Sequence, residues 1–141
     1  MQIRHLKQTS KNNCGQTVAA ILSGKTVKEA EKACGTRGCT TTKILSNGFA
    51  ALGWMTDWQL TPWKFMNRAK TRFVVLRVAI RPGRSHWVLW DRDEDKIYDP
   101  ALKRKLDKRK WEARLDKLKD TQGGDFRVTS WMGVRGMEDE T

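Results

Sequence analysis

The segment QTSKNNCGQTVAAILS, residues 8–23, decides how this chain begins to fold, because it places a cysteine at the start of a helix. Asn13 is a residue type that favours the N-cap position, and Gly24 suits the left-handed end of a helix. Apolar side chains between residues 18 and 22 recur at helical spacing. The segment therefore predicts an amphipathic helix over residues 14–23, with Cys14 in its first turn.

Helical patterns fill the rest of the first half of the chain. Thr26 and Glu29 form a capping-box pair, which predicts a short second helix that ends at Gly35. A third helix is predicted over residues 41–52. The pair Thr61-Pro62 is typical of a further helix start, an N-cap followed by proline in the first turn.

The second half of the chain has the pattern of a sheet. The stretch FVVLRVAI, residues 73–80, is rich in β-branched residues and predicts a buried strand. Further strands are predicted at residues 86–90, 96–98 and 126–132, and a highly charged helix is predicted at residues 101–120. Helices followed by antiparallel strands indicate an α+β fold.

The length of 141 residues suits a single domain, mainly helical over residues 1–70 and mainly sheet over residues 71–137. The longest apolar stretches are far shorter than the ~20 residues that a membrane-spanning helix requires. The first residues lack the apolar segment of a signal peptide. We therefore expect a cytoplasmic protein that has no membrane partner.

The chain is strongly basic, with 28 lysines and arginines against 16 aspartates and glutamates and a formal net charge of +12. Such an excess favours an acidic partner or nucleic acid, and the charged helix at residues 101–120 belongs to this basic surface. Neither a zinc-finger spacing nor an aromatic RNA-binding motif accompanies it. Because such a run is also typical of an ordinary solvated helix face, charge alone leaves a binding function open.

The number of cysteines is typical of a protein from a reducing compartment. Three cysteines are an odd number, so at least one thiol is free or pairs with another molecule. Cys34 and Cys39 are close enough in sequence for a disulfide, but in the cytosol we expect them to be reduced. A zinc site would require the distant His5 or His86 to converge with them. We therefore predict neither a metal nor a cofactor.

Cys14 has the position of a catalytic nucleophile. Free N–H groups and the positive end of the dipole at a helix start lower the pKa of a thiol. Gly15 would leave room for a substrate backbone to approach. Of the two histidines, His5 lacks an obvious strand to hold it, whereas His86 begins a predicted strand and can act as the base. A cysteine in this position is also common as a structural residue, so the pattern needs further support.

Two more polar residues complete a candidate site. Asp99 ends the neighbouring predicted strand and can orient His86 if residues 86–99 form a hairpin. Gln8 lies six residues before Cys14 and carries an amide that can donate to an oxyanion. Each has an ordinary alternative, since Asp99-Pro100 is a common turn pair and a glutamine can simply cap a loop.

Taken together, these residues carry a resemblance to a known family. The runs Gln8 to Gly15, His86-Trp-Val-Leu and Tyr98-Asp99-Pro100 resemble the bacteriocin-processing, double-glycine peptidases and their stand-alone relatives in the papain-like superfamily. The resemblance spans roughly residues 6–100. It implies a papain-like fold with N-terminal helices packed on a C-terminal antiparallel sheet. It also implies that Cys14 is the nucleophile, His86 the base, Asp99 its orienting residue and Gln8 part of the oxyanion hole.

The function expected from this resemblance is hydrolysis of a peptide or isopeptide bond in a protein or peptide substrate. The transporter segment of the secretion enzymes is absent, and the charged helix after Pro100 is atypical, so a glycine-glycine cleavage preference is not carried over. An amidase or acyltransferase would use the same chemistry. The alternative is a catalytically silent papain fold or a basic module that binds an acidic partner or nucleic acid. The small size and the lack of a pro-segment suggest a bacterial or bacteriophage protein, and a phage protein would act in the host cytoplasm.

Overall fold

A computed structural model describes residues 2–137. Its helices and strands, in chain order, are α1 (Cys14–Ser23), α2 (Val27–Cys34), α3 (Thr42–Ala51), β1 (Trp54–Thr56), β2 (Thr61–Pro62), a 3₁₀ helix (Trp63–Arg68), β3 (Phe73–Arg81), β4 (Arg84–Asp91), β5 (Lys96–Tyr98), β6 (Leu106–Asp107), α4 (Lys108–Gln122) and β7 (Arg127–Gly136). The α+β prediction is confirmed: N-terminal helices are followed by an antiparallel sheet of seven strands.

The sheet has the strand order β1-β7-β3-β4-β5-β6, and β2 pairs with β7 as well. The last strand therefore lies inside the sheet, between β3 on one side and β1 and β2 on the other. The two halves of the chain share one sheet, because β1 and β2 come from the first 70 residues.

The central strands are covered on both faces, which explains why residues 73–80 are almost continuously apolar. Phe73 and Val75 belong to a core cluster with α1 and α3. Val74 and Leu76 belong to a second cluster with α4. Alternate residues of one strand thus enter two cores on opposite sides of the sheet.

The first two helices end as their sequences predict. Gly24 has a φ of 71° and stops α1 in the left-handed conformation. Thr26 and Glu29 form the predicted capping box, and Gly35 ends α2. Asn13 occupies the N-cap position of α1, but the expectation that its side chain caps the helix is wrong. Its side chain instead bonds Thr9 Oγ1 and the backbone N–H of Ser10, and so it fixes the preceding loop.

Two predicted helix starts are wrong for identifiable reasons. The charged helix begins at Lys108 rather than at residue 101, because a turn follows Asp99 and Leu106–Asp107 pair with β5. Thr61–Pro62 form a short strand against β7, and only a 3₁₀ helix follows. The proline is therefore the N-cap of that helix rather than its first-turn residue.

Three further expectations concern the whole chain. Among residues 2–137, no helix is long and apolar enough to cross a membrane. The three cysteines are all free, with Cys34 half-buried and Cys39 exposed. The last four residues, 138–141, lie outside the described part of the chain.

Candidate active site

The candidate nucleophile lies at the first residue of α1. Cys14 is only 7% exposed, and its side chain lines a groove on the protein surface. The next residue, Gly15, has a different role from the one expected. A Cβ at residue 15 would lie 2.2 Å from Thr40 Oγ1 and 3.2 Å from Trp87 Cδ1, so the glycine makes room for protein neighbours rather than for substrate. This close packing seats the start of α1 against β4.

The hairpin of β4 and β5 brings the candidate base and its orienting residue together. Leu89 pairs with Tyr98, so Asp99 directly follows the strand that lies beside β4. Nε2 of His86 lies 2.6 Å from Oδ1 of Asp99. The predicted hairpin therefore holds this pair, and His86 is the third residue of its strand rather than the first.

Cys14 completes the arrangement. Its thiol lies beside His86, whose imidazole lowers the pKa of the thiol by hydrogen bonding and by charge. Because Nε2 of His86 faces Asp99, Nδ1 is the ring nitrogen left for the thiol. Residues from α1, β4 and the end of β5 thus form one line from sulfur to imidazole to carboxylate.

Asp99 is held by three donors. Oδ1 accepts hydrogen bonds from His86 and from the backbone N–H of Ala101 at 2.9 Å, and Oδ2 accepts one from the indole N–H of Trp111 at 2.9 Å. A backbone bond from the N–H of Leu102 to the C=O of Asp99 closes a tight turn. Asp99 therefore both begins the turn and contacts His86. Its role as a turn residue before Pro100 is thus compatible with a role in orienting the histidine.

Trp111 is the site residue that sequence reasoning missed. In the sequence, Trp111, Leu115 and Leu118 give the charged helix an apolar face, and Trp111 belongs to the core cluster under α4. Trp111 follows Asp99 by 12 positions, with a turn and a strand between them, so no local pattern indicates their contact. The one available signal was the need of a buried tryptophan for an acceptor.

The electrostatics favour a charged pair between Cys14 and His86. Burial of the thiol opposes ionisation, but the hydrogen bond and charge of His86 and the backbone N–H groups of Trp87 and Gly15 outweigh it, so the pKa of Cys14 is lowered. Burial also disfavours the imidazolium, yet hydrogen bonds to Asp99 and Cys14 raise the pKa of His86 to about 10. At neutral pH these directions favour thiolate and imidazolium.

The same balance applies to Asp99. Burial opposes its negative charge, but the bonds from His86, Trp111 and Ala101 hold the pKa of the carboxyl below its usual range. The carboxylate therefore stays ionised at neutral pH and faces a protonated imidazole.

Gln8 lines the same groove as Cys14 and His86. Its backbone N–H donates to the C=O of Pro100 at 2.8 Å, which ties the segment before α1 to the turn after Asp99. Its side-chain Nε2 donates to the C=O of Ser10 at 2.8 Å. An amide nitrogen carries two hydrogens, so one donor is left to point elsewhere.

The other polar candidates have separate places. His5 lies away from Cys14, because its Nε2 bonds the C=O of Leu102 at 2.7 Å and its ring stacks on Tyr98. Cys39 lines the groove and is exposed. Within residues 2–137, no group of three or more histidine, cysteine or acidic side chains is arranged to hold a metal ion.

The groove runs on beyond the three reactive residues and encloses about 790 Å³. A groove of this volume can hold a ligand as large as the side chains of several residues, rather than one side chain alone. The β3–β4 hairpin, α4 and the segment before α1 all contribute residues to its lining.

No protein-family model matches the chain, and no curated protein matches it either.

Proposed function

We propose that this chain is a cysteine peptidase with a papain-like arrangement of helices and sheet. The observation that carries the proposal is the contiguous line Cys14–His86–Asp99 at the edge of an open groove. A thiolate and an imidazolium held together beside a substrate-sized groove are the reactants that acyl transfer from an amide requires.

The reaction follows from the positions of these groups. The sulfur of Cys14 attacks the carbonyl carbon of the amide, and the proton on Nδ1 of His86 passes to the leaving nitrogen. The carbon–nitrogen bond breaks, the amine departs and a thioester joins the acyl group to Cys14. His86 then takes a proton from water, whose oxygen attacks the thioester, and the thiolate is regenerated. Asp99 keeps the imidazole in the required tautomer throughout.

The negative oxygen of the tetrahedral intermediate needs donors. The N–H of Cys14 is free of an intrahelical acceptor because it lies at the start of α1. The second amide hydrogen of Gln8 is the other candidate donor. Donors of this kind contribute on the order of 10²–10³-fold to the rate.

The resemblance to the bacteriocin-processing peptidases supports the same assignment residue by residue. It supplies Gln8, Cys14, His86 and Asp99 in their family order, and these four residues line one groove. We propose a protein or peptide substrate, hydrolysed in a reducing compartment such as the cytoplasm, where a free thiol persists. A catalytically silent binding module would not need a thiol with a lowered pKa. Measurement of thiol reactivity therefore distinguishes a peptidase from a binding module.

The first prediction is that Cys14→Ala abolishes both cleavage and labelling by a thiol-directed peptidase probe at neutral pH. The matched control is Cys39→Ala, because Cys39 lines the same groove but has no histidine partner among the described contacts of residues 2–137. Intact-mass measurement after probe treatment reports labelling. Comparison of cell-extract peptides after treatment with wild type and with Cys14→Ala reports cleavage.

We expect new peptide termini with wild type and with Cys39→Ala, and none with Cys14→Ala. If Cys14→Ala cleaves or is labelled like wild type, the assignment of the nucleophile is wrong. If wild type produces no Cys14-dependent termini, the peptidase proposal is wrong.

A further inference from the structure

The groove contains an apolar floor that the proposed chemistry does not use. Val78 and Ile80 of β3 line it from the sheet, and Leu115 and Leu118 line it from α4. Phe126 also lines it and has a φ of 40°, which is strained for an aromatic residue. Val78 and Leu115 belong to the core cluster under α4, so a ligand would contact mainly the partly exposed side chains of Ile80, Leu118 and Phe126.

Four cations line the walls of the same groove: Lys11, Arg81, Arg84 and Arg114. All four are exposed, and none forms an ion pair with a carboxylate of residues 2–137. The one carboxylate on these walls is Asp99, whose oxygens are already taken by His86, Ala101 and Trp111. The positive charge of the groove is therefore uncompensated within the described chain.

The β3–β4 hairpin concentrates this charge. Arg81 and Arg84 are directly paired across its turn. Like charges in directly opposed positions destabilise an antiparallel pair. The hairpin tolerates this repulsion at its exposed tip beside the groove, where an anionic ligand would relieve it.

We propose that the groove binds an acidic polypeptide segment. An aliphatic side chain of that segment lies on the floor, and its carboxylates lie against Arg81, Arg84 and Arg114. The acidic segment is the substrate class of the site at Cys14 only if the proposed peptidase function holds, and in this respect the inference rests on that function. Carboxylates near the scissile bond place the amide beside Cys14 through charge complementarity with the walls.

The floor favours a polypeptide over nucleic acid. Channels that bind single-stranded nucleic acid combine cations with aromatic faces on which bases stack. Here four of the five floor residues are aliphatic, and the two tryptophans that line the groove, Trp87 and Trp111, are buried. Aliphatic side chains of a peptide fit this surface better than bases do.

The test measures binding to the full-length Cys14→Ala variant by fluorescence anisotropy, so that it does not depend on turnover. The probes are fluorescein-labelled peptide pools of equal length, built from Glu and Leu, from Gln and Leu, from Glu and Ser, and from Lys and Leu. A uridine oligonucleotide of matched charge is the fifth probe. We expect the Glu-Leu pool to bind at least about fivefold more tightly than each of the others.

The arginine pair is tested by Arg81→Gln/Arg84→Gln in the same Cys14→Ala background. The charge-matched control is Lys28→Gln/Lys32→Gln, which removes two exposed lysines from α2, a helix that contributes no residue to the groove lining. We expect about fivefold weaker binding of the Glu-Leu pool for the arginine variant and less than about twofold for the control. Binding to the arginine variant should also depend less on salt than binding to the parent Cys14→Ala protein.

The outcomes separate this proposal from the proposed function. Equal binding of the Glu-Leu and Gln-Leu pools, tighter binding of the oligonucleotide, or equal effects of the two double variants overturns the groove proposal. Such a result leaves Cys14-dependent cleavage untouched. Conversely, a wild type that lacks Cys14-dependent cleavage overturns the peptidase proposal, while the anisotropy result stands by itself.

Discussion

Two cysteines of this chain show how far surroundings control a thiol. Burial alone acts on Cys34 and raises its pKa to about 11. Cys14 is also buried, yet the bonds from His86 and from the backbone N–H groups of Trp87 and Gly15 outweigh burial and lower its pKa. The same functional group is thus harder to ionise at Cys34 and easier to ionise at Cys14, because of these two cysteines only Cys14 has an imidazole and backbone N–H donors beside it.

This contrast predicts how alkylation depends on pH. The initial rate of reaction of Cys14 with iodoacetamide should fall much less between pH 8 and pH 6 than the rate at Cys34, because the pKa of Cys14 is lowered and the pKa of Cys34 is raised. The rate at Cys34 should fall by about a hundredfold over the same range, in proportion to its thiolate fraction. Trypsin places the three cysteines in separate peptides, residues 12–25, 33–37 and 38–43, so mass spectrometry measures each one.

His86→Ala is the control for this measurement. Removal of the imidazole should restore an ordinary pH dependence at Cys14, with the rate at pH 6 well below the rate at pH 8. Parallel pH profiles for Cys14 and Cys34 in the wild-type protein would contradict the lowered pKa of Cys14.

At the scale of elements, the site is assembled by a hairpin, a turn and a helix. The β4–β5 hairpin sets His86 beside Asp99, and the turn from Asp99 to Leu102 sends the chain away from the sheet. The chain then returns through β6 and α4, which places the indole of Trp111 on the second oxygen of the carboxylate. The charged helix, which from the sequence was a candidate binding surface, thus supports the site through its buried face.

Trp111→Phe tests this support. The variant keeps an aromatic ring in the core but removes the donor to Oδ2 of Asp99, so the carboxylate holds the imidazolium less well. We expect a loss of about 1–3 kcal/mol in the free energy of unfolding, as for a buried hydrogen bond to a charged group. Because Trp111 is a positioning residue, we also expect the pH midpoint of Cys14 labelling to rise.

Trp90→Phe is the matched control for Trp111→Phe. Trp90 also donates its indole N–H to a carboxylate, Oδ1 of Asp95 at 3.0 Å, but this bond is exposed and distant from the groove. The control should leave the labelling profile unchanged. Equal profiles for the two variants would show that Trp111 is merely a packing residue.

At the scale of the whole molecule, a net charge of +12 coexists with a few buried carboxylates. Asp91 is fully buried and receives two hydrogen bonds from Arg72, at 3.0 and 2.9 Å. Burial opposes its ionisation, but the guanidinium outweighs burial and the pKa of Asp91 is lowered, as is the pKa of Asp99. These carboxylates oppose the repulsion among the many cations, so acid should act strongly on this protein.

The sign of the acid effect follows from these directions. A carboxyl whose pKa is lower in the folded state stabilises the fold above its unfolded pKa of about 4, and this contribution is lost as the pH falls through the folded value. We therefore expect these carboxylates to make the urea midpoint fall steeply below about pH 4. Circular dichroism during a urea titration at each pH measures this midpoint.

Asp91→Asn checks the origin of this acid sensitivity. The variant should lose roughly 1–3 kcal/mol at pH 7, because Arg72 no longer faces a charge, and it should lose less than wild type on acidification. Asp93→Asn is the control, since Asp93 is largely exposed and lies 3.6 Å from the same guanidinium. An acid profile of Asp91→Asn that is parallel to wild type would contradict the role of this carboxylate.

Much of the fold was predictable because it depends on interactions between residues that are close together in the sequence. The capping box of Thr26, the left-handed Gly24 and the β-branched run at residues 73–80 act within a few residues of chain. Strand β1, the two-residue strand β6 and the central position of β7 were not predictable. They depend on pairing with distant partners, and short segments such as residues 54–56 carry no periodicity of their own.

The sequence by itself determined the α+β class, the helix that begins at Cys14 and the residue types of the candidate site, because caps, periodicity and side-chain chemistry are local properties. Only the tertiary structure decided that Nε2 of His86 meets Asp99 and that Trp111 holds the other oxygen, since those contacts depend on strand register and on where α4 starts. The tertiary structure also reassigned Gly15 from substrate access to packing against Thr40 and Trp87. The fold also brings cations from distant segments together in one groove. The sequence gives the number of charges, but their interactions depend on distances in space.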